Sequence, residues 1–134
     1  LRSLRRGGMD MSILSASETS ILEEMVAQRG IRHYFGGLYG LSDLFAHSKI
    51  AAGRRLLAGI GIDPGDLLLV GDTEHDSDVA AAMGCRCVLV RGGHQAAGRL
   101  RRCGREILPG AGSVPGYLHR SNATTARCGK RRAP

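Results

Sequence analysis

The sequence predicts an α/β protein, a Rossmann-like three-layer sandwich around a mainly parallel sheet. Apolar runs of strand length alternate with segments of helical periodicity, an order typical of parallel βαβ units with right-handed crossovers. Two of these runs, 67–70 and 85–90, are almost continuously apolar, as expected for strands covered on both faces. Aromatic residues make up only 4% of the chain, so small aliphatic side chains must pack the helices onto the sheet.

The elements alternate regularly along the first 108 residues. Strands are predicted where apolar residues run together between turn residues, and helices where they recur at a spacing of three or four. In chain order we predict a helix over 1–6, a strand over 9–14, a helix over 17–29, a strand around 38–39, a helix over 48–60, a strand over 67–70, a helix over 76–83 and a strand over 85–90. The 48–60 helix is expected to bury Ile50, Leu56, Leu57 and Ile60.

The charge of the chain is concentrated near its C-terminus. The formal net charge is +7, but residues 99–134 carry nine basic side chains and one glutamate, so the first 98 residues sum to −1. We therefore predict a near-neutral core over 1–108, the size of one domain, followed by a basic Gly-, Pro- and Arg-rich tail over 109–134. The tail has little periodicity, and we expect it to be poorly ordered.

Composition also indicates the setting of the protein. No apolar run reaches the ~20 residues of a membrane span, and the N-terminus lacks a secretory signal, so we expect a cytoplasmic protein without a membrane partner. The four cysteines form no CxxC pair, which favours free thiols. Cys85 and Cys87 alternate in a predicted strand and should share one face, in an apolar role or, alternatively, in a metal or redox role.

Two candidate anion-binding features lie at predicted helix starts. In an open parallel sheet, ligands bind beyond the carboxyl ends of the strands. Ser15, Ala16 and Ser17 follow the first strand there, and their hydroxyls and backbone amides could hold an anionic oxygen or simply cap the next helix. Lys49 stands at a helix start, where the macrodipole disfavours positive charge unless an anion is bound. A plain surface lysine is the alternative.

The most specific signal is the segment 67–76. A fully apolar strand leads into Gly71 and Asp72, and Asp76 follows four residues later at a helix start. Two carboxylates brought together are costly unless a cation is bound, and Mg²⁺ takes one or two carboxylates together with water and phosphate oxygens. We therefore predict Mg²⁺ at Asp72 and Asp76. The alternative is a turn residue followed by a helix N-cap.

Together these features resemble the haloacid dehalogenase (HAD) superfamily of phosphohydrolases. Its second motif, an apolar strand ending in Ser or Thr, is matched by Ile13-Leu14-Ser15, and its third, a Lys at a helix start, by His47-Ser48-Lys49. Its fourth, Gly-Asp followed by a second Asp, is matched by Gly71-Asp72-Thr73-Glu74-His75-Asp76. Order and separation agree, and the sequence around the motifs is most similar to phosphoglycolate-phosphatase-type members. The resemblance covers residues 1–108.

The resemblance implies a role for each candidate residue. Ser15 and the amide of Ala16 would bind the transferring phosphoryl oxygens, and Lys49 would neutralise their charge, which makes Ser15 and Lys49 the candidate catalytic residues. Asp72 would ligate Mg²⁺, directly or through water, with Asp76 in support. These roles suit a phosphate monoester hydrolase that acts on a small phosphorylated metabolite by positioning and electrostatic stabilisation.

The first motif of the family has no match in the sequence. That motif is a strand ending in Asp-x-Asp, with the first Asp as nucleophile, whereas Asp10 lies at the beginning of a strand and Asp76-Ser77-Asp78 enters a helix. We therefore expect an incomplete HAD core that lacks a central strand and is inactive alone, because loss of a covalent nucleophile abolishes turnover. A truncated product, a degenerate member kept for binding, and complementation by another chain all remain open.

Two other functions are compatible with the sequence. A non-catalytic protein that binds Mg²⁺ or phosphate would use the same residues. A nucleic-acid-binding protein would use the basic clusters 99–105 and 130–132, but the tail has one aromatic residue, Tyr117, and no recognisable binding motif. Nucleic acid is therefore the weaker interpretation. His94, which follows two glycines, could approach the site from the carboxyl end of the last strand, or it could be an ordinary loop histidine without a function.

Overall fold

A computed structural model describes residues 1–41 and 48–129. His47 of the predicted lysine motif and the basic cluster 130–132 lie outside the described residues. The helices are α1 (Arg2–Arg6), α2 (Thr19–Gln28), α3 (Lys49–Ile60), α4 (Glu74–Met83), α5 (Ala97–Leu100) and α6 (Val114–Gly129). The strands are β1 (Ser12–Glu18), β2 (Gly37–Leu41), β3 (Leu68–Gly71), β4 (Arg86–Val90) and β5 (Glu106–Leu108). Every predicted element is present, with shifted ends.

All strand pairs are parallel, as predicted, but the strands form two sheets. β1 pairs with β2, and β4 lies between β3 and β5. Within the described part of the chain, the outer strands β1, β2, β3 and β5 each have one edge without a partner strand. Helix α3 packs against β1, β2 and α4, while α4 packs against β3 and β4. The α/β class with parallel sheets is confirmed, and the single sheet expected from the sequence is divided in two.

The two helices that carry candidate residues have well-defined ends. The hydroxyl of Ser48 accepts a hydrogen bond from the amide of Ala51 at 3.2 Å and caps α3. Thr73 begins α4 with a capping box. Each helix ends at a glycine in the left-handed region. These signals fix Lys49 and Asp76 in the first turns of α3 and α4.

The principal core lies between these two helices and the sheets. Its buried residues are Leu56, Val79, Ala80, Met83 and Cys85. Half-buried side chains from both sheets, including Leu14 of β1 and Leu69 of β3, pack against it. Gly53 allows α3 and α4 to approach closely, because a Cβ at this position would overlap the sulfur of Met83. The core therefore connects the two sheets through the α3–α4 helix pair.

Some burial predictions are confirmed and others are wrong. On α3, Leu56 is buried and Ile50 and Leu57 are half-buried against the core. Ile60, predicted to be buried, is 36% exposed because it is the last residue of the helix. Val70, predicted in a strand covered on both faces, is 41% exposed. The sheet that contains β3 is therefore incompletely covered at this strand.

Cys85 lies just before β4 and Cys87 lies within it, and both contribute to the same core, in agreement with the predicted shared face. Both pack against the core cluster, and both are free thiols. Burial raises the pKa of the Cys87 thiol to about 11. Because the thiolate is the reactive form of cysteine, this supports the apolar role over the redox alternative for Cys87.

The segment after Pro109 differs from the expected poorly ordered tail. It forms a short 3₁₀ turn at Ala111–Ser113 and then the helix α6. Val114 is 5% exposed, and Tyr117 and Leu118 pack with it against Val88 and Leu108. The sequence prediction missed this apolar face at spacings of three and four. Glycine and proline at 115–116 hide the helix, although proline is tolerated in a first turn. The domain boundary at 108 remains a prediction.

The described helices include none that is both long enough and apolar enough to cross a membrane. The longest, α6, has 16 residues, fewer than the ~20 that a membrane span requires.

Candidate functional site

A buried aspartate organises the loop between β3 and α4. Oδ2 of Asp76 accepts hydrogen bonds from the backbone amides of Asp72 and Thr73, both at 3.0 Å, and from the Thr73 hydroxyl at 2.8 Å. The same hydroxyl accepts a bond from the Asp76 amide at 3.2 Å. Gly71 precedes the loop, and a Cβ there would overlap the Asp76 side chain. Close contact between the strand end and the helix start therefore requires a glycine.

Lys49 forms an ion pair with the other oxygen of Asp76. The Lys49 Nζ contacts Oδ1, and the two side chains are 16% and 4% exposed. Burial opposes ionisation of Asp76, but the hydrogen bonds from Lys49 and Thr73 outweigh it and lower the pKa of this carboxyl group. The anion also offsets the unfavourable position of a cation in the first turn of α3. Both oxygens of Asp76 are thus engaged by the protein itself.

Asp72, on the same loop, is more exposed and only partly engaged. Its side chain is 29% exposed. Oδ2 accepts a hydrogen bond from the backbone amide of His94 at 2.7 Å and lies 2.9 Å from Nδ1 of that residue. The backbone hydrogen bond is the main cause of the lowered pKa of Asp72. No hydrogen bond in the described part of the chain engages Oδ1, so one anionic oxygen remains available to a cation.

The segment 92–95, which follows β4, lies against residues 72–76, which we call the acidic loop. Oε1 of Gln95 accepts a hydrogen bond from the amide of Glu74, the first residue of α4, at 2.8 Å. Arg99 of α5 pairs with the Glu74 carboxylate at 3.4 Å. The sequence indicated that His94 could approach the site, and the structure places it against Asp72. Sequence reasoning overlooked Gln95. The two glycines after an apolar strand were the available signal, since they permit a close backbone approach.

Ser15 and Ala16 lie in an irregular stretch of β1. The regular pairing of β1 with β2 is interrupted between Leu14 and Glu18. The Ser15 hydroxyl accepts a hydrogen bond from the Ser17 amide at 3.0 Å, and Ala16 is exposed. No described hydrogen bond or ion pair joins Ser15 or Ala16 to Lys49 or to the acidic loop. The structure thus connects Lys49, Asp72 and Asp76 through hydrogen bonds and an ion pair. The approach of Ser15 to these residues remains a prediction.

The donor set at the acidic loop is compatible with Mg²⁺. No group of three or more His, Cys, Asp or Glu side chains within the described ranges could enclose a metal ion. Mg²⁺ does not require such a cage, because it binds through one or two carboxylates and completes its shell with water and phosphate oxygens. The available Oδ1 of Asp72 meets that requirement. Asp76 is better suited to support, because Lys49 and the loop amides already occupy its oxygens.

The fold and these motifs define a class of protein, the HAD-like hydrolases. A family model described as HAD-hydrolase-like matches residues 49–111, a range that contains Lys49, Asp72, Asp76 and the segment 92–95. Over residues 49–111 the chain is therefore a HAD-like hydrolase, as the motifs in that range predict.

Proteins named phosphoglycolate phosphatase are among its relatives. The chain is 32% identical over 89 residues to one from Pectobacterium atrosepticum and 28% identical over 89 residues to one from Yersinia pestis. Each alignment covers 66% of this chain and 38% of the relative. The chain thus spans well under half the length of these relatives, and it is phosphoglycolate-phosphatase-like over the aligned region.

Solved structures support the fold. A crystal structure described as a predicted phosphatase from Clostridium acetobutylicum aligns with a TM-score of 0.82 and 18% identity, covering 89% of this chain and 56% of that one. A haloacid dehalogenase-like hydrolase from Streptococcus pneumoniae gives 0.81 and 22%, covering 87% and 57%. At these identities the similarity establishes the fold alone.

Proposed function

We propose that this chain forms the phosphate- and Mg²⁺-binding part of a HAD-type phosphatase that hydrolyses a small phosphate monoester. The observation that carries the proposal is the arrangement of Lys49 and Asp72 around Asp76. Lys49, whose side chain is half-buried, pairs with Asp76, and the partly exposed Asp72 lies on the loop that Asp76 organises. Phosphoryl transfer depends mainly on such positioned charges. The relatives named phosphoglycolate phosphatase make a small phosphorylated acid the favoured substrate class.

Each candidate residue has a distinct part in this proposal. Asp72 would hold Mg²⁺ through Oδ1, and Asp76 would support the ion indirectly while it orients Lys49. Lys49 would attract the anionic phosphoryl group, and Ser15 with the Ala16 amide would bind phosphoryl oxygens. When bound, Mg²⁺ would neutralise charge that develops on those oxygens.

Turnover would need a carboxylate nucleophile on a strand ending in Asp-x-Asp. We propose that such a strand comes from a longer polypeptide or from a complementing chain. The unpaired edges of β1 and β3 support this, because an exposed strand edge can accept a further strand. The 41% exposure of Val70 beside one of those edges is a second support. Without that strand, we expect the chain to bind ligands and not to hydrolyse them.

A cytoplasmic setting fits the described cysteines. Cys85, Cys87 and Cys103 are free thiols, and thiols persist in a reducing compartment. We propose this location on that basis alone.

Isothermal titration calorimetry with MgCl₂ tests the binding proposal. The chain should bind Mg²⁺, and Asp72→Asn should abolish the signal because it removes the anionic oxygen. Asp78→Asn is the matched control, since Asp78 is an exposed aspartate on α4 and the substitution changes the charge equally. Equal losses in the two variants, or no binding to the unsubstituted chain, would contradict the proposal.

A hydrolysis assay separates the phosphatase from a non-catalytic binding protein. A synthetic strand peptide ending in Asp-x-Asp is added to the chain with Mg²⁺ and p-nitrophenyl phosphate. Peptide-dependent release of p-nitrophenol, lost with an Asn-x-Asn peptide, supports a complemented phosphatase. Mg²⁺ binding without any release under these conditions favours the non-catalytic alternative.

A further inference from the structure

The segment Gly93–Gln95 connects two parts of the acidic loop. The His94 amide bonds the carboxylate of Asp72, and the Gln95 side chain bonds the first amide of α4 at Glu74. These bonds join positions 22 and 21 residues apart, so they depend on the fold and not on local sequence. A Cβ at Gly93 would overlap the Asp72 carboxylate. The absence of a side chain at this position allows the segment to lie directly on the carboxylate.

The contacts from this segment fall on one oxygen of Asp72. Both the amide and the imidazole of His94 lie against Oδ2, at 2.7 and 2.9 Å, while Oδ1 is unengaged within the described residues. A carboxylate held in this way presents a single oxygen to a cation. Ca²⁺ accepts carboxylates through one or both oxygens in flexible coordination of six to eight ligands, whereas Mg²⁺ requires near-ideal octahedral geometry. Restriction to one oxygen therefore disfavours Ca²⁺ more than Mg²⁺.

We propose that the segment Gly93–Gln95 is a positioning element that restricts Asp72 to coordination through one oxygen and so favours Mg²⁺ over Ca²⁺. The inference rests on the proposed Mg²⁺-binding function and deepens it by naming what sets the choice of ion. Gly93 permits the close approach, the His94 amide holds Oδ2, and Gln95 anchors the segment to α4. Loss of a group that orients a metal ligand in this way typically lowers metal affinity by about 10- to 100-fold.

Calorimetric titration with MgCl₂ alone and with CaCl₂ alone provides the test. The measured quantity is the ratio of the Mg²⁺ and Ca²⁺ association constants, which a general loss of stability would not change. Gln95→Ala removes the anchor, and we expect the ratio to fall about tenfold. Gln95→Glu keeps an oxygen that can accept a hydrogen bond from the Glu74 amide. This variant should retain most of the preference for Mg²⁺ over Ca²⁺. Gln28→Ala is the matched control, because the side chain of Gln28 donates to the exposed Glu24 on the surface of α2.

Gly93→Ala is a second and independent variant. Its new Cβ should displace the segment from Asp72 and lower the ratio as Gln95→Ala does. Far-UV circular dichroism verifies the fold of every variant. Well-folded variants whose Mg²⁺ to Ca²⁺ ratio equals that of the unsubstituted chain would overturn the inference. Failure of the unsubstituted chain to bind Mg²⁺ above the level of Asp72→Asn would instead overturn the proposed function, and the inference with it.

Discussion

The two sheets of this protein differ in how completely their residues are buried. The sheet β3–β4–β5 contains Val88 and Leu89, both fully buried. The acidic loop that follows β3 is connected by hydrogen bonds to Lys49 of α3 and to the segment 92–95. The sheet β1–β2 has no buried residue in β1, and its pairing is interrupted where Ser15 lies. Contacts between distant positions of the chain therefore hold Asp72 and Asp76 in place, whereas the described hydrogen bond of the Ser15 hydroxyl is local.

The largest expected effect comes from matched leucine truncations in the two sheets. Leu89→Ala removes a fully buried side chain and should lower the free energy of unfolding by about 3 to 4 kcal/mol. Leu14→Ala removes a half-buried side chain of β1, and the loss should be about 1 kcal/mol. Urea unfolding monitored by circular dichroism measures both. Equal losses would show that the two sheets are equally well packed and would break the comparison.

The second largest effect concerns the buried ion pair. Asp76→Asn leaves the Lys49 ammonium buried without its anion and should cost about 3 kcal/mol of unfolding free energy, as expected when one partner of a buried pair is removed. Asp78→Asn on the exposed side of α4 should change it by less than about 0.5 kcal/mol. Urea unfolding of both variants at neutral pH provides the measurement. A cost for Asp76→Asn as small as that of its control would mean that the loop does not depend on the pair.

The pH dependence sharpens the same point. The pKa of Asp76 is lowered in the folded protein from its ordinary value of 3.8, so the native state binds fewer protons than the unfolded state in this range. The resulting stabilisation is fully present above pH 3.8 and is lost as the pH falls through the lower folded value. The difference in unfolding free energy between the unsubstituted chain and Asp76→Asn should therefore shrink on acidification below pH 3.8. A difference in unfolding free energy that grows below pH 3.8 would contradict a lowered pKa of Asp76.

The smallest expected effect on stability belongs to Ser15. Ser15→Ala removes a hydroxyl whose hydrogen bond among the described residues is local, to the Ser17 amide, and should change the unfolding free energy by about 0.5 kcal/mol or less. If Ser15 binds phosphoryl oxygens, the same substitution should nevertheless weaken binding of inorganic phosphate, measured by calorimetry in the presence of Mg²⁺. Ser20→Ala on the exposed face of α2 is the control. Unchanged phosphate affinity in Ser15→Ala would remove Ser15 from the site.

The position of Asp72 and Asp76 beside each other could be predicted from the sequence because it is encoded locally. Asp72 and Asp76 stand four residues apart at the start of one helix, and the apolar strand before them identifies the position. Lys49 is found through its unfavourable place at a helix start. The contact of Gln95 with Glu74 could not be predicted, because it depends on how the end of β4 lies beside the end of β3 and not on any periodicity.

The missed features of the fold have similar causes. β5 has three residues, too few to show a strand pattern. The first turn of α6 contains Pro115 and Gly116, so composition suggested a disordered tail although Val114, Tyr117 and Leu118 form an apolar face. The division into two sheets depends on which strands pair with each other. The order of apolar residues along the chain does not specify that pairing.

The central claim is that Lys49 and Asp72 serve one site for Mg²⁺ and a phosphate group. It is tested most directly by calorimetric titration of Mg²⁺ into the chain with and without inorganic phosphate. The account predicts that phosphate raises the Mg²⁺ affinity by about tenfold or more, a normal size for coupling between two ligands, and that Lys49→Met removes the increase. An Mg²⁺ affinity that is the same with and without phosphate would contradict it.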